Sequence, residues 1–243
     1  MREPSRDHVS ALHDLSAVDM TAGFRARQFS PSEVLEDVLE HVALWEPHIK
    51  ALYAFDPEGA RMVAKQSTER WQRGEPAGAL DGVTVTIKDN IATKGVPVAM
   101  GTATTKLVPS EVDSPPAARL REAGAVIFSK TTMPDYGMLS SGLSSFHPLT
   151  RNPWDLRQNP GGSSAGAGAA CAAGYGPLHL GTDIGGSVRL PGCWCGIVAL
   201  KPSLGRVPVD PPYVGRVVDG AGHGSDDSAN IGRIDGNAPE TRL

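Results

Sequence analysis

The chain has 243 residues, 40% of them hydrophobic and 21% charged, the balance of an ordinary globular protein long enough for one or two domains. A net charge of −4 argues against nucleic acid or an anionic membrane as a direct partner, and no run of 18 apolar residues reads as a bilayer span. The opening MREPSRDHVS lacks the basic-then-apolar order of a secretory signal, so a cytoplasmic location is expected.

Residues 1–75 read as helical. In FSPSEVLEDVLEHVALWEP, Ser30 is the predicted N-cap, Pro31 the first helical residue and Glu33 the partner of a capping box. Val34, Leu35, Val38, Leu39 and Val42 keep helical spacing, and Pro47 is the predicted stop. DPEGARMVAKQSTERWQRG repeats the grammar, with Asp56 as cap, Pro57 behind it and Gly74 at the end.

The pattern changes at LDGVTVTIKDN, where Val83, Val85 and Ile87 alternate with Thr84 and Thr86 in a predicted strand ending at Lys88. DSPPAARLREAG then reads as a short helix ending at Gly124, and AVIFSK as a second strand. Strand, helix and strand with short joints predict an α/β unit with a parallel pair. GGSSAGAGAACAAG (161–174) reads as a helix of small residues suited to very close packing, and LHLGTD (178–183) as a further strand. The final segment, 217–243, has no aromatic residue and no period of 2 or 3.6, and is expected to be without regular structure.

The three cysteines, Cys171, Cys193 and Cys195, are too few for a disulfide framework. Cys193 and Cys195 form a C-x-C around Trp194 without the second ligand pair of a structural zinc site, so no metal is expected.

The glycine-rich region admits three readings. GAGAAC (166–171) grazes the dinucleotide fingerprint, but that fingerprint follows a strand directly, and RNPWDLRQNPGG is polar and turn-rich. GSSAG (162–166) matches the nucleophile elbow with Ser164 as nucleophile, yet it also lacks the preceding strand, and only His179 and His223 follow it. In the third reading Ser187, in GTDIGGSVRLPGCWCG, is a nucleophile whose base is a lysine. Gly185 and Gly186 would leave backbone N–H groups pointing outward for an oxyanion, and Lys88 at a strand end is the placed base. A lysine serving as base at neutral pH needs a pKa roughly 3 below its ordinary 10.4, at a cost of about 4 kcal/mol.

VTVTIKDN, NPGGSSAGAGAA and GTDIGGSVRLPGCWCGIVALKP, in that order, resemble the amidase signature family of serine hydrolases. Lys88 and Ser163 stand 75 residues apart and Ser163 and Ser187 stand 24 apart, as in that family. The resemblance covers about residues 10–216. It implies an α/β/α fold with a mixed sheet flanked by helices, and amide (carbon–nitrogen) hydrolysis of a linear amide through an acyl-serine. Ser187 is then the nucleophile, Ser163 the proton-relaying serine on a cis peptide bond, and Lys88 the general base. The amides of Ile184, Gly185, Gly186 and Ser187 form the implied oxyanion hole. Asp183 and Arg189 brace the loop, and Met133 and Ser140 lie in the stretch that lines the acyl pocket. No cofactor and no metal are implied. The implied partner is a small-molecule amide, with no nucleic acid contacted directly and no membrane; a homodimer is left open.

Similarity stops after KPSLGRVPVDPPYVGRV, whereas family members run to roughly twice this length. The expected organisation is an N-terminal helical segment (1–75), an incomplete catalytic core (76–216) and an aberrant tail (217–243) left by frameshift or truncation, with weak or no activity of this chain alone. Two other readings stay open: the glutaminase component of a tRNA-dependent amidotransferase (its A component), and a non-catalytic truncated product.

Overall fold

The computed structural model describes residues 11–203, 205–208 and 228–232. Helix α1 (Ala17–Ala26) starts where the Ser16 side chain accepts from the Asp19 amide. Helix α2 (Pro31–Ile49) begins on the predicted capping box, in which Ser30 Oγ accepts from the Glu33 amide and the Glu33 carboxylate accepts from the Ser30 amide. It does not stop at Pro47 but ends where Lys50 turns left-handed (φ 56°, ψ 51°). A proline in the last turn costs only one main-chain bond there, and continuing the helix buries Ile49.

Strand β1 (Leu52–Tyr53) and helix α3 (Pro57–Arg73) follow, the latter between the Asp56 cap and Gly74. Strand β2 (Thr84–Lys88), helix α4 (Pro115–Glu122) and strand β3 (Val126–Thr131) form the expected parallel unit. Helix α5 (Ala165–Ala172), strand β4 (Leu178–Thr182), helix α6 (Arg189–Trp194) and strand β5 (Val198–Leu200) complete the run.

Residues Ser228–Gly232 form a strand, β6, inserted between β4 and β5 and antiparallel to both. These five residues correct the expectation of a structureless 217–243. Pairing on both sides satisfies the main chain without any hydrophobic period in the side chains. The rest of 217–243 lies outside the described residues.

The sheet order is β1-β3-β2-β4-β6-β5, with β3, β2 and β4 parallel at its centre. Val126 and Phe128 pack with Leu35, Val38, Leu39 and Val42 of α2, Ala60 and Ala64 of α3, and Ala169 and Ala170 of α5. Ile87 and Leu180 pack instead with Ala117 of α4. The fold is therefore α/β, a mixed sheet with helices on its two faces, and the N-terminal helices share one core with the sheet. No helix among the described residues is long and apolar enough to cross a membrane. Cys193 is exposed, whereas Cys195 is buried, donates to the Pro160 carbonyl at 3.4 Å and has its thiol pushed up to about 12 by burial.

All five residues of β2 are buried, so its Val/Thr alternation separates two packed faces instead of a core and a solvent face. Ile87 faces α4, and Thr86 and Lys88 fall on the other side. His179 of β4 satisfies Thr86. Its Nε2 lies 3.0 Å from the Gly176 carbonyl, which can only accept, so Nε2 carries the proton and Nδ1 accepts from Thr86 Oγ1 at 2.8 Å. Burial lowers the His179 pKa to about 4. The unfolded chain, with an ordinary histidine pKa near 6.5, binds this proton more readily. The His179 contribution is therefore complete above pH ~6.5 and is lost as pH falls through about 4, by about 3 kcal/mol in all. Urea titrations from pH 7 to 4 should show a shallower acid loss in His179→Gln than in the parent chain; equal slopes would remove this assignment.

Candidate active site

Three chain segments meet at the C-terminal ends of β2 and β4. The end of β2 delivers Lys88, fully buried, whose Nζ donates to Ser163 Oγ at 2.8 Å and to Thr182 Oγ1 at 2.8 Å. Ser163 lies just ahead of α5, after a cis Gly162–Ser163 peptide bond. Thr182, the last residue of β4, also accepts from Asn90 Nδ2 at 3.0 Å. Lys88 is thus held from two sides, by a hydroxyl on the α5 entry and a hydroxyl on the neighbouring strand.

Ser187 follows β4 on the turn into α6. Its carbonyl accepts from the Ser164 amide at 3.0 Å, which pins the turn beside the Ser163 segment. Ser164 itself is fully buried, and its Oγ donates to the Thr182 carbonyl at 3.2 Å. That placement ties the α5 entry to β4 and denies Ser164 the exposed position of an elbow nucleophile.

The turn is built on Asp183. Its carboxylate accepts from the amides of Gly186 (2.7 Å), Val188 (3.0 Å) and Arg189 (3.2 Å), and from Nε and Nη2 along one edge of the Arg189 guanidinium, each at 2.9 Å. Burial by itself raises a carboxyl, but the Arg189 guanidinium and these amides hold Asp183 well below the ordinary range. Asp183 and Arg189 are paired across the turn. The carboxylate also bears on the four amides named from the sequence. The Gly186 N–H points inward to Asp183, leaving those of Ile184, Gly185 and Ser187 without a partner among the described residues. Ile184 and Gly185 are exposed, and a Cβ on Gly185 would meet nothing within 4 Å, so this side of the turn is open.

The segment 133–141 borders Ser163 on the other side. A Cβ on Gly137 would lie 3.2 Å from Ser163 Oγ and 3.5 Å from Met133 Cε, and one on Gly162 would lie 2.5 Å from the Ser141 amide and 2.8 Å from the Leu139 carbonyl. Met133 is buried beneath this wall, whereas Ser140 lies exposed on its turn. Thr182 and Asn90 escaped the sequence reading. The signal for both was available, since Thr182 sits five residues before Ser187 and Asn90 two after Lys88.

Comparison with known proteins identifies the family. A family model for amidases matches residues 33–224. The A component of the glutamyl-tRNA(Gln) amidotransferase of Alkaliphilus metalliredigens is 37% identical over 196 residues, 81% of this chain and 40% of that protein. The corresponding component from Symbiobacterium thermophilum is 42% identical over 194 residues, 79% of this chain and 40% of that protein. Among solved structures, a bacterial aryl acylamidase of the amidase signature enzymes superposes with a TM-score of 0.76 and 33% identity, over 84% of this chain and 42% of that one. The chain spans about 40% of the length of the curated relatives it matches. On the matched residues, the motif order and the shared fold, the chain belongs to the amidase signature family.

Proposed function

We propose that this chain hydrolyses a carbon–nitrogen bond of a linear amide through an acyl-enzyme on Ser187. The observation that carries the reading is the buried 2.8 Å contact of Lys88 Nζ with Ser163 Oγ, set beside the turn that holds Ser187. With Lys88 neutral, the Ser163 hydroxyl donates into the Nζ lone pair at this distance. Ser187 Oγ attacks the amide carbon, its proton passes to Ser163 Oγ, and the Ser163 proton passes to Lys88. The carbonyl π pair moves to oxygen, where the amides of Ile184, Gly185 and Ser187 are the available donors. The C–N bond then breaks as Lys88 returns the proton through Ser163 to the leaving nitrogen. Water repeats the sequence on the ester and frees the acid and Ser187. Thr182 keeps Nζ aimed by occupying one of its hydrogens.

A second reading, glutamine hydrolysis by a component that passes ammonia to partners, is favoured by one observation: the curated relatives at 37–42% identity are amidotransferase A components. Both readings use the same serine, so one experiment addresses them in turn. The folded protein is treated with a fluorophosphonate, which bonds to Ser187 Oγ with loss of fluoride, and Ser187→Ala serves as blank. Label on Ser187 is expected; folded protein that takes none would overturn the amidase reading. Turnover of acetamide, benzamide and glutamine is then compared. Hydrolysis of the simple amides, even if slow, supports the first reading, and hydrolysis confined to glutamine supports the second.

A further inference from the structure

Next to Lys88 in the chain, Asp89 has no part in the proton route just described, yet it is fully buried and carries three contacts. Its Oδ1 accepts from the Ala99 amide at 2.8 Å, its Oδ2 accepts from the Gly101 amide at 2.8 Å, and His147 Nε2 lies 3.0 Å from the same Oδ2. Two other titratable groups face this carboxylate. Lys130 of β3 is buried with its Nζ donating to the Ile91 carbonyl at 2.8 Å, and burial lowers its pKa to about 8 although Asp89 opposes the shift. Tyr53 of β1 is raised to about 12 by burial and by Asp89.

What Asp89 holds is the far wall of the site. The Met100 carbonyl accepts from the Tyr136 amide at 2.7 Å. Gly101, at φ +66°, approaches the main chain of 133–134 so closely that a Cβ would fall 2.5 Å from the Met133 carbonyl and clash with that of Pro134. Ser144 Oγ donates to the Gly101 carbonyl at 2.5 Å and itself accepts from the amides of Phe146 (3.0 Å) and His147 (2.8 Å). The His147 ring is fixed in turn by edge contacts with Tyr53 and Phe146, with centroids 4.9 and 5.0 Å apart. The Asp89 carboxylate therefore ties residues 99–101 to His147, and residues 100–101 lie in turn against 133–137, the segment that borders Ser163.

We propose that Asp89, latched by His147, is a positioning residue that sets the substrate-side wall of residues 99–101 and 133–137 against Ser163. Lys88 and Asp89 then divide two tasks between consecutive residues at the end of β2: the first serves the proton, the second serves the fit of the acyl group. This rests on the amidase reading for its effect on substrate, but the clamp itself is a property of the fold.

Three substitutions test it on the full chain. Asp89→Asn keeps the volume but replaces one carboxylate oxygen by an N–H that faces amide donors. His147→Phe keeps the ring contacts and removes the Nε2 donor, and His147→Gln restores a donor as the rescue. In Asp89→Asn and His147→Phe the KM for a hydrolysed amide is expected to rise about tenfold, with Ser187 labelling by a small fluorophosphonate within about threefold of the parent chain and His147→Gln close to it. Amide hydrogen exchange at Ala99 and Gly101 should quicken at least tenfold in Asp89→Asn. An unchanged KM in both variants, or labelling that falls in step with kcat/KM at constant KM, would overturn the positioning role. If the parent chain takes no label and hydrolyses nothing, the amidase reading fails; exchange at Ala99 and Gly101 still decides the clamp, and parent-like exchange in Asp89→Asn overturns it. Should Asp89→Asn not fold, His147→Phe against His147→Gln carries the same decision.

Discussion

Lys88→Met is expected to slow fluorophosphonate labelling of Ser187 by 10² to 10⁴-fold, the range for removal of a general base, while the melting temperature stays close to that of the parent chain. The two halves of this expectation have separate causes. Methionine has nearly the length of lysine and no charge, so it fits the fully buried site without a cavity. Thr182 Oγ1 keeps its bond from Asn90, whereas Ser163 Oγ loses its present partner. Each buried hydrogen bond lost costs about 1 kcal/mol, and no longer burying an amine offsets part of it. The proton route, by contrast, has no substitute, because no other base contacts Ser163 Oγ among the described residues. Lys88→Arg sharpens the test. A guanidinium keeps a donor but does not give up its proton in a protein, so it should label as slowly as methionine does. Parent-like labelling in either variant would remove Lys88 from the mechanism, and a large loss of stability in Lys88→Met would make its role structural.

The parts of this site that were legible in the sequence are those whose residue type is itself the chemistry. A lysine closing a strand, two serines among glycines and an Asp–Arg pair astride a turn stand at spacings that leave little freedom; in the structure Lys88 meets Ser163, and Asp183 meets Arg189. Thr182, Asn90 and Asp89 were not found, because a threonine at a strand end or an aspartate before an asparagine has many bland uses. Only the approach of β2 to β4, fixed by the parallel register of Ile87 against Leu180, gives Thr182 and Asn90 a common neighbour. Gly186 illustrates the opposite limit. Its place in the loop follows from the sequence, but which way its N–H points depends on the Asp183 carboxylate three residues earlier. The fold divides in the same way. Helices with caps and a 3.6 period were readable, while β6 was not, since its support comes from the main chains of β4 and β5 and leaves no period of its own.

The composition of α5 leads to the second large effect, one on which two simple arguments disagree in sign. Gly166 stands in the first turn of that helix, and helix propensity alone predicts that Gly166→Ala stabilises the chain by about 1 kcal/mol. Packing predicts the reverse. A Cβ at Gly166 would overlap the Ala51 carbonyl and the Thr132 amide, both main chain, and would fall 2.5 Å from Thr132 Oγ1. Neither main-chain group is free to move, because the same two take part in the Thr132 N to Ala51 O bond of 2.9 Å that carries the β1–β3 pairing onward. The Gly166 amide also donates to the Thr132 carbonyl at 3.1 Å, so α5 lies against this junction with no side chain between. Overpacking of this kind costs about 1–3 kcal/mol or somewhat more, which exceeds the propensity gain. We therefore expect Gly166→Ala to destabilise the protein by about 2 kcal/mol, a fall in melting temperature of roughly 4–8 °C for a chain of this size. Because Ser163 and Ser164 are the residues that lead into α5, a helix displaced at its first turn also lengthens the Lys88–Ser163 contact, and Ser187 labelling should slow at temperatures well below unfolding. A gain in stability would show that α5 can slide on the sheet without cost, and would unseat the close approach as the reason its residues are small.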